Sequence, residues 1–234
     1  MAFFDISKAW VILAPFPAPA AAEDLGRCIA ALRKRDGLGG DIPAILDSAG
    51  PAPGDSVPIF VLNMEHSCND RGGYTWRTSH DRVEIYGDSR RGFCNGIYSF
   101  LAALGFRWPG PGQELPPLVP AETSHTGPGI YPLSVPGAYV RSNPSPEHRR
   151  RLIIPSPVPD REMPALCRWA ARNRVDALVF PLQDAKFRKG PKTTAAEAEK
   201  DWGFIIETGT PPDSGTTGED PALYIYENGA VRKL

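Results

Sequence analysis

The chain has 234 residues, 41% of them apolar and 23% charged, a composition that supports one large or two modest packed domains and excludes wholesale disorder. A formal net charge of −1 lacks the basic excess of a general nucleic-acid or anionic-membrane binder, so neither partner is expected. No run of about 18 apolar residues occurs, so no transmembrane helix is expected.

Met1–Ala22 is mildly apolar, but Asp5 precedes Lys8 and Pro15, Pro17 and Pro19 interrupt it. It therefore lacks the basic start and unbroken apolar stretch of a signal peptide, and a cytoplasmic location is expected with secretion left open. Trp10–Val11–Ile12–Leu13 reads as a buried strand within Ala9–Ala14. From Ala22 to about Asp36, Leu25, Cys28, Ile29 and Leu32 recur at helical spacing, and Gly37 can stop the helix. Strands are expected at Ile42–Leu46 and Ile59–Leu62, with a Pro/Gly loop between them at Pro51–Pro58. Tyr74–Thr78 and Arg82–Tyr86 flank Ser79–His80–Asp81 like the arms of a hairpin. Asp88 or Ser89 can cap the next helix, Arg90–Leu104, which carries Phe93, Ile97, Phe100, Leu101 and Leu104 on one face. Gly96 suits close packing of that helix on a sheet. The order β-α-β-β-β-β-α predicts a mixed-sheet α/β unit with helices on one face.

The sequence holds 26 prolines and 23 glycines, and Pro109–Pro146 is rich in proline and weakly periodic. Residues 121–146 read as a linker between a unit at 1–120 and a second at 147–234. In the second, strands are expected at Arg151–Ile154, Ala177–Phe180 and Gly203–Glu207, with helices at Asp160–Arg174 and Thr194–Trp202, and a weak final strand at Leu223–Tyr226. This β-α-β-α-β order has the spacing of a (β/α) barrel.

The run Gly87–Asp88–Ser89–Arg90–Arg91–Gly92, entering a helix that ends in Leu104–Gly105–Phe106–Arg107–Trp108, resembles part of the N-terminal domain of family 20 glycoside hydrolases, the β-N-acetylhexosaminidases, and of family 67 α-glucuronidases. The resemblance extends over residues 9–120. Trp169–Ala170–Ala171–Arg172–Asn173–Arg174 is similar to the end of the first helix of such barrels, leading into strand two. Asp220–Pro221–Ala222–Leu223–Tyr224 with Glu227–Asn228–Gly229 resembles a passage after strand three in related bacterial proteins. The resemblance implies a hexosaminidase-like N-terminal α/β domain followed by an incomplete (β/α) barrel segment. It also implies a sugar-binding role for Arg151, which starts the first barrel strand. Two departures accompany it. Arg151–Leu152–Ile153–Ile154 ends in Pro155 with no Asp, and the chain stops before the family's catalytic Asp–Glu pair.

Sugar hydrolysis needs two carboxyl groups, or one acid and a held acetamide. Glu23–Asp24 reads as the first turn of a helix and Glu219–Asp220 as part of a solvated loop. Glu207, at the end of an expected barrel strand, lies on the side where barrels build sites. Arg151 and Glu207 are therefore the substrate-binding candidates, and no catalytic residue is assigned. His148–Arg149–Arg150–Arg151 reads as a solvated basic run apart from Arg151, and Arg107–Trp108 as an interdomain packing pair. Gly87–Gly92 is neither of the usual phosphate-binding glycine patterns. His66, His80, His125 and His148 and the scattered Cys28, Cys68, Cys94 and Cys167 lack metal-ligand spacing, so no metal or cofactor is expected.

Two functions fit. One is the N-terminal, non-catalytic portion of a carbohydrate-processing protein, inactive alone; the other is a stand-alone accessory carbohydrate-binding or interaction module. Three parallel strands would leave an open edge, so a carbohydrate ligand and self-association or a partner covering that edge are the expected interactions.

Overall fold

The computed structural model describes residues 3–6, 10–13, 19–41, 44–46, 57–63, 72–78, 82–117, 130–132, 139–142, 150–154, 161–181, 200–209, 224–227 and 230–233. The turn at Ser79–His80–Asp81, Glu219–Asp220, Cys68 and the four histidines lie outside the described residues, as does the expected helix Thr194–Trp202 apart from helical residues 200–202.

The elements in chain order are β1 (Phe3–Asp5), β2 (Trp10–Leu13), α1 (Pro19–Arg35), β3 (Ala44–Leu46), β4 (Val57–Asn63), β5 (Tyr74–Thr78), β6 (Val83–Gly87), α2 (Arg90–Ala103), β7 (Ile130–Pro132) and β8 (Tyr139–Ser142). There follow β9 (Arg151–Ile153), α3 (Met163–Arg172), β10 (Ala177–Pro181), β11 (Ile205–Gly209), β12 (Tyr224–Glu227) and β13 (Ala230–Lys233).

Six strands form the first sheet in the order β3-β2-β4-β6-β5-β8. β2, β3, β4 and β6 run parallel, and β5 and β8 are joined by antiparallel pairings. Helix α2 packs on β5 and β6, and α1 packs on α2. Its close seat depends on glycine. A Cβ on Gly96 would lie 2.7 Å from Ile85 Cγ2, and one on Gly92 would collide with the Gly73 carbonyl oxygen. Ser89 is the cap, its hydroxyl accepting from the Gly92 N–H at 3.0 Å. The neighbouring Asp88 instead ties this turn to β5, accepting from the Gly73 N–H at 2.8 Å. A Gly92→Ala substitution is expected to cost about 3 kcal/mol, the upper end for overpacking, because the obstacle is backbone with no rotamer to change. Urea unfolding would measure it, and an unshifted midpoint would contradict the close packing.

The span 121–146, expected as a linker, carries two strands. β7 pairs with β1 antiparallel, from Phe3↔Pro132 to Asp5↔Ile130. β8 adds to the edge of the first sheet through pairs from Tyr74↔Ser142 to Arg77↔Tyr139. Proline lacks an N–H donor and is tolerated at sheet edges and strand ends, so a proline-rich stretch can still supply short edge strands.

The second sheet has the order β11-β10-β9-β12-β13. β9, β10 and β11 are parallel, and the β12–β13 hairpin joins antiparallel along β9. The edge of β9 is therefore covered by the chain itself. Helix α3 packs against α2. Leu152, Ile154, Leu166, Trp169, Leu178 and Phe204 belong to the same buried apolar cluster as Trp76, Ile85, Phe100 and Leu101, so the helices are sandwiched in one core between the sheets. No helix among the described residues is long and apolar enough to cross a membrane.

Candidate functional site

Strand alternation sorts the second sheet into two faces. Leu152 and Leu178 enter the core shared with α3. Arg151, Ile153, Ala177, Val179, Ile205 and Glu207 share the other face through the parallel register Arg151↔Ala177↔Ile205 and Ile153↔Val179↔Glu207. Arg151 and Glu207 stand two strands apart, about 9–10 Å at ordinary strand spacing. The guanidinium bridges that gap over β10, where the small residues Ala177 and Val179 leave room. Arg151 Nε donates to Glu207 Oε2 at 3.0 Å. Their side chains remain 25% and 32% exposed, above buried Ala177, Ile153 and Val179. The two residues singled out separately in the sequence thus form one ion pair over an apolar floor. A fork of N–H donors beside a carboxylate acceptor can hold vicinal hydroxyls or other paired polar groups.

A second polar assembly joins the two sheets' layers, and sequence reasoning did not see it. Helix α1 begins at Pro19, so Asp24 lies beyond the first turn, contrary to the expected N-terminal position of Glu23–Asp24. Asp24 is fully buried, whereas Glu23 is exposed. Its carboxylate accepts from Tyr98 Oη at 2.9 Å and Arg172 Nε at 3.0 Å, and is paired with Arg27. Arg172 also reaches Glu114 at 3.1 Å and lies over the Trp108 ring, 5.8 Å from its centroid. Burial and the charge of Asp24 push the Tyr98 phenol well above its ordinary pKa, keeping it a donor. Burial pulls Arg172 down, but the charge of Asp24 and its hydrogen bond carry it above the ordinary arginine value. The sequence signal was available: Asp24 sits at i and i+4 with Cys28, inside the apolar stripe of Ala21, Leu25, Ile29 and Leu32.

At the other end of the junction, Asp176 is also buried. It accepts from Asn95 Nδ2 at 3.1 Å and from the Arg150 N–H at 3.0 Å, and it faces Arg91 Nε at 3.7 Å. Burial lowers the Arg91 guanidinium below the ordinary arginine value. Asp176 immediately precedes β10. In barrel enzymes that N-terminal end of the strands is the one associated with stability, while sites form at the C-terminal end.

The remaining sequence-named residues take structural positions. Arg150, expected in a solvated run, is half-buried and donates to the Asn173 carbonyl at 2.6 Å. Trp108 does pack between layers, its carbonyl accepting from Trp169 Nε1 at 3.0 Å and Asn173 Nδ2 at 3.1 Å. Its neighbour Arg107 is exposed and donates to carbonyls of its own segment, Ala102 and Phe106. Cys28, Cys94 and Cys167 are buried free thiols. Burial raises all three, Cys94 to about 11 and Cys167 to about 12. Among the described residues no group of three His, Cys, Asp or Glu side chains could hold a metal ion.

No family model matches the sequence, and no curated protein matches it. Solved structures of similar fold include the Flavobacterium johnsoniae chitobiase, at TM-score 0.52 and 10% identity, with 89% of this chain covering 32% of that one. The Streptomyces plicatus N-acetyl-β-hexosaminidase aligns at TM-score 0.47 and 17% identity, over 78% of this chain and 32% of its own. The family 20 exo-β-N-acetylglucosaminidase from Vibrio harveyi aligns at TM-score 0.40 and 11% identity, over 78% and 23% respectively. The chain thus spans a third or less of these hydrolases. It is an α/β protein sharing the fold of part of the chitobiase chain.

Proposed function

We propose that this chain is the N-terminal, non-catalytic portion of a carbohydrate-processing protein of glycoside hydrolase type, and that Arg151 and Glu207 form its sugar contact. The observation that carries the proposal is the part-exposed Arg151–Glu207 pair on the sheet face opposite α3. In a (β/α) barrel the helices lie outside, so this face corresponds to the interior. On this reading β9, α3, β10 and β11 are the opening units of a barrel. One further strand pair cannot complete a catalytic site, because the general acid must be held against the leaving oxygen with its partner carboxyl across the sugar.

The test is calorimetric titration with N-acetylglucosamine, chitobiose and glucuronic acid, alongside turnover assays on the matching aryl glycosides. Binding of at least one sugar, weakened tenfold or more by Arg151→Ala, with turnover no faster than buffer, is expected. Failure to bind any sugar overturns the sugar contact. Turnover abolished by one carboxylate substitution in this chain overturns the non-catalytic reading and points to Glu207.

A specific observation favours the second reading, a stand-alone accessory module. The β12–β13 hairpin occupies the edge of β9 that a closing barrel strand would need. The coding frame after Leu234 discriminates between the two. Continuation into β/α units bearing paired carboxylates supports the first, and a stop followed by an unrelated frame supports the second.

A further inference from the structure

Arg151 and Glu207 hold the only charges among the described side chains of their face, whose other members are Ile153, Ala177, Val179 and Ile205. Arg151 Nε donates to Glu207 Oε2 at 3.0 Å, and both side chains are partly open to solvent. Ala177, Ile153 and Val179 beneath them are buried. An ion pair above an apolar floor is screened by water on one side only, so its charges act on a ligand more strongly than those of a fully exposed pair. What the face offers a ligand therefore depends on the carboxylate. An arginine alone over such a floor is an anion site, because its planar fork matches a carboxylate or a phosphate. With Glu207 against it, the pair is neutral as a whole and presents a donor beside an acceptor.

We infer that Glu207 sets the ligand class of this site, admitting neutral sugars and excluding uronates and sugar phosphates, an inference that rests on the carbohydrate reading above. A sugar hydroxyl is both donor and acceptor, so a neutral pyranose can donate to Glu207 while accepting from Arg151. A ligand carboxylate only accepts. To reach Arg151 it must lie beside Glu207, which places two like charges over the apolar floor, or displace Glu207 and leave that carboxylate without its guanidinium. Neither cost falls on a neutral ring. Arg151 then supplies affinity and Glu207 selectivity, and the two roles separate on substitution. Losing Arg151 weakens every sugar, whereas removing the charge of Glu207 changes which sugar is preferred.

The test is titration of the full chain with N-acetylglucosamine, methyl glucoside and methyl glucuronide, the last two alike except that C6 bears a hydroxyl in one and is a carboxylate in the other. Wild type, Arg151→Ala, Glu207→Gln and Glu207→Asp are compared, with circular dichroism to verify the fold. The readout is the affinity for the glucuronide relative to the better neutral sugar. Wild type is expected to bind the glucuronide about tenfold more weakly, since like charges face each other across a partly solvated gap. Glu207→Gln keeps length and an acceptor but not the charge, and is expected to raise that relative affinity about tenfold, a gain that shrinks in about 1 M salt. Glu207→Asp keeps the charge and is expected to keep the exclusion. A wild type that binds the glucuronide as well as the neutral sugars, or a ratio that Glu207→Gln leaves unchanged, overturns the selectivity role and leaves the sugar contact standing. A ratio shifted equally by Glu207→Gln and Glu207→Asp assigns the effect to side-chain shape and also overturns it. Absence of binding in the wild type overturns both.

Discussion

Replacing Asp24 with alanine is expected to lower stability by about 3–5 kcal/mol, the range for removing one partner of a buried ion pair. Two costs combine. Tyr98 loses the acceptor of its buried hydroxyl, and the Arg172 side chain, 13% exposed, loses its closest anion. Glu114 stays near Arg172 but is itself 34% exposed, so it offsets only part. Because Asp24 joins α1 to α2 and, through Arg172, to α3, the loss falls on the packing of all three helices. Chemical denaturation followed by circular dichroism measures the change. Asp24→Asn keeps an acceptor and the side chain's shape, so it is expected to lie between wild type and alanine. A loss below about 1 kcal/mol for alanine would mean that solvent reaches the group, since that is the scale of an exposed ion pair.

The sequence made the regular elements legible because they are built from short-range signals. The stripe of Leu25, Cys28, Ile29 and Leu32, the cap at Ser89 and the alternation around Val83 and Ile85 each need only a few neighbouring residues. The edge strands β7 and β8 were hidden by the prolines around them, since their partners, β1 and β5, lie far away in the chain. The candidate pair was half legible. Arg151 and Glu207 were each singled out, but their meeting depends on a register across β10 that no local pattern encodes. Asp24 was misread, and Asp176 was not singled out, for a different reason. The apolar stripe around Asp24 signals that it is buried, but the residues that hold it, Tyr98 and Arg172, and the Asn95 and Arg91 that face Asp176 come from elements distant in sequence.

Substituting Asp176 with alanine is expected to destabilise the protein by a similar amount, about 3–5 kcal/mol, and to act at the junction between the sheets. Arg91 is 4% exposed and lies over the Phe204 ring, 4.9 Å from its centroid. Its other acceptors are the neutral carbonyls of Ala171 and Trp202 at 3.4 and 3.5 Å, long contacts that do not balance a full charge. The same substitution removes the carboxylate that accepts from the Arg150 N–H and one of two acceptors of the Asn95 amide, which keeps the Gly72 carbonyl at 3.0 Å. Arginine does not escape by losing its proton, so the penalty remains as an uncompensated buried charge. Asp176→Leu combined with Arg91→Met removes both charges while keeping apolar volume, and is expected to cost less than Asp176→Ala alone. That inversion, in which two substitutions harm less than one, is the signature of charge burial as opposed to lost packing. Because the layers share one core, unfolding is expected as a single transition in wild type and variants, seen by tryptophan fluorescence and circular dichroism alike. A double variant at least as unstable as the sum of its parts, or a transition that splits in the wild type, would show that the junction is held by packing alone.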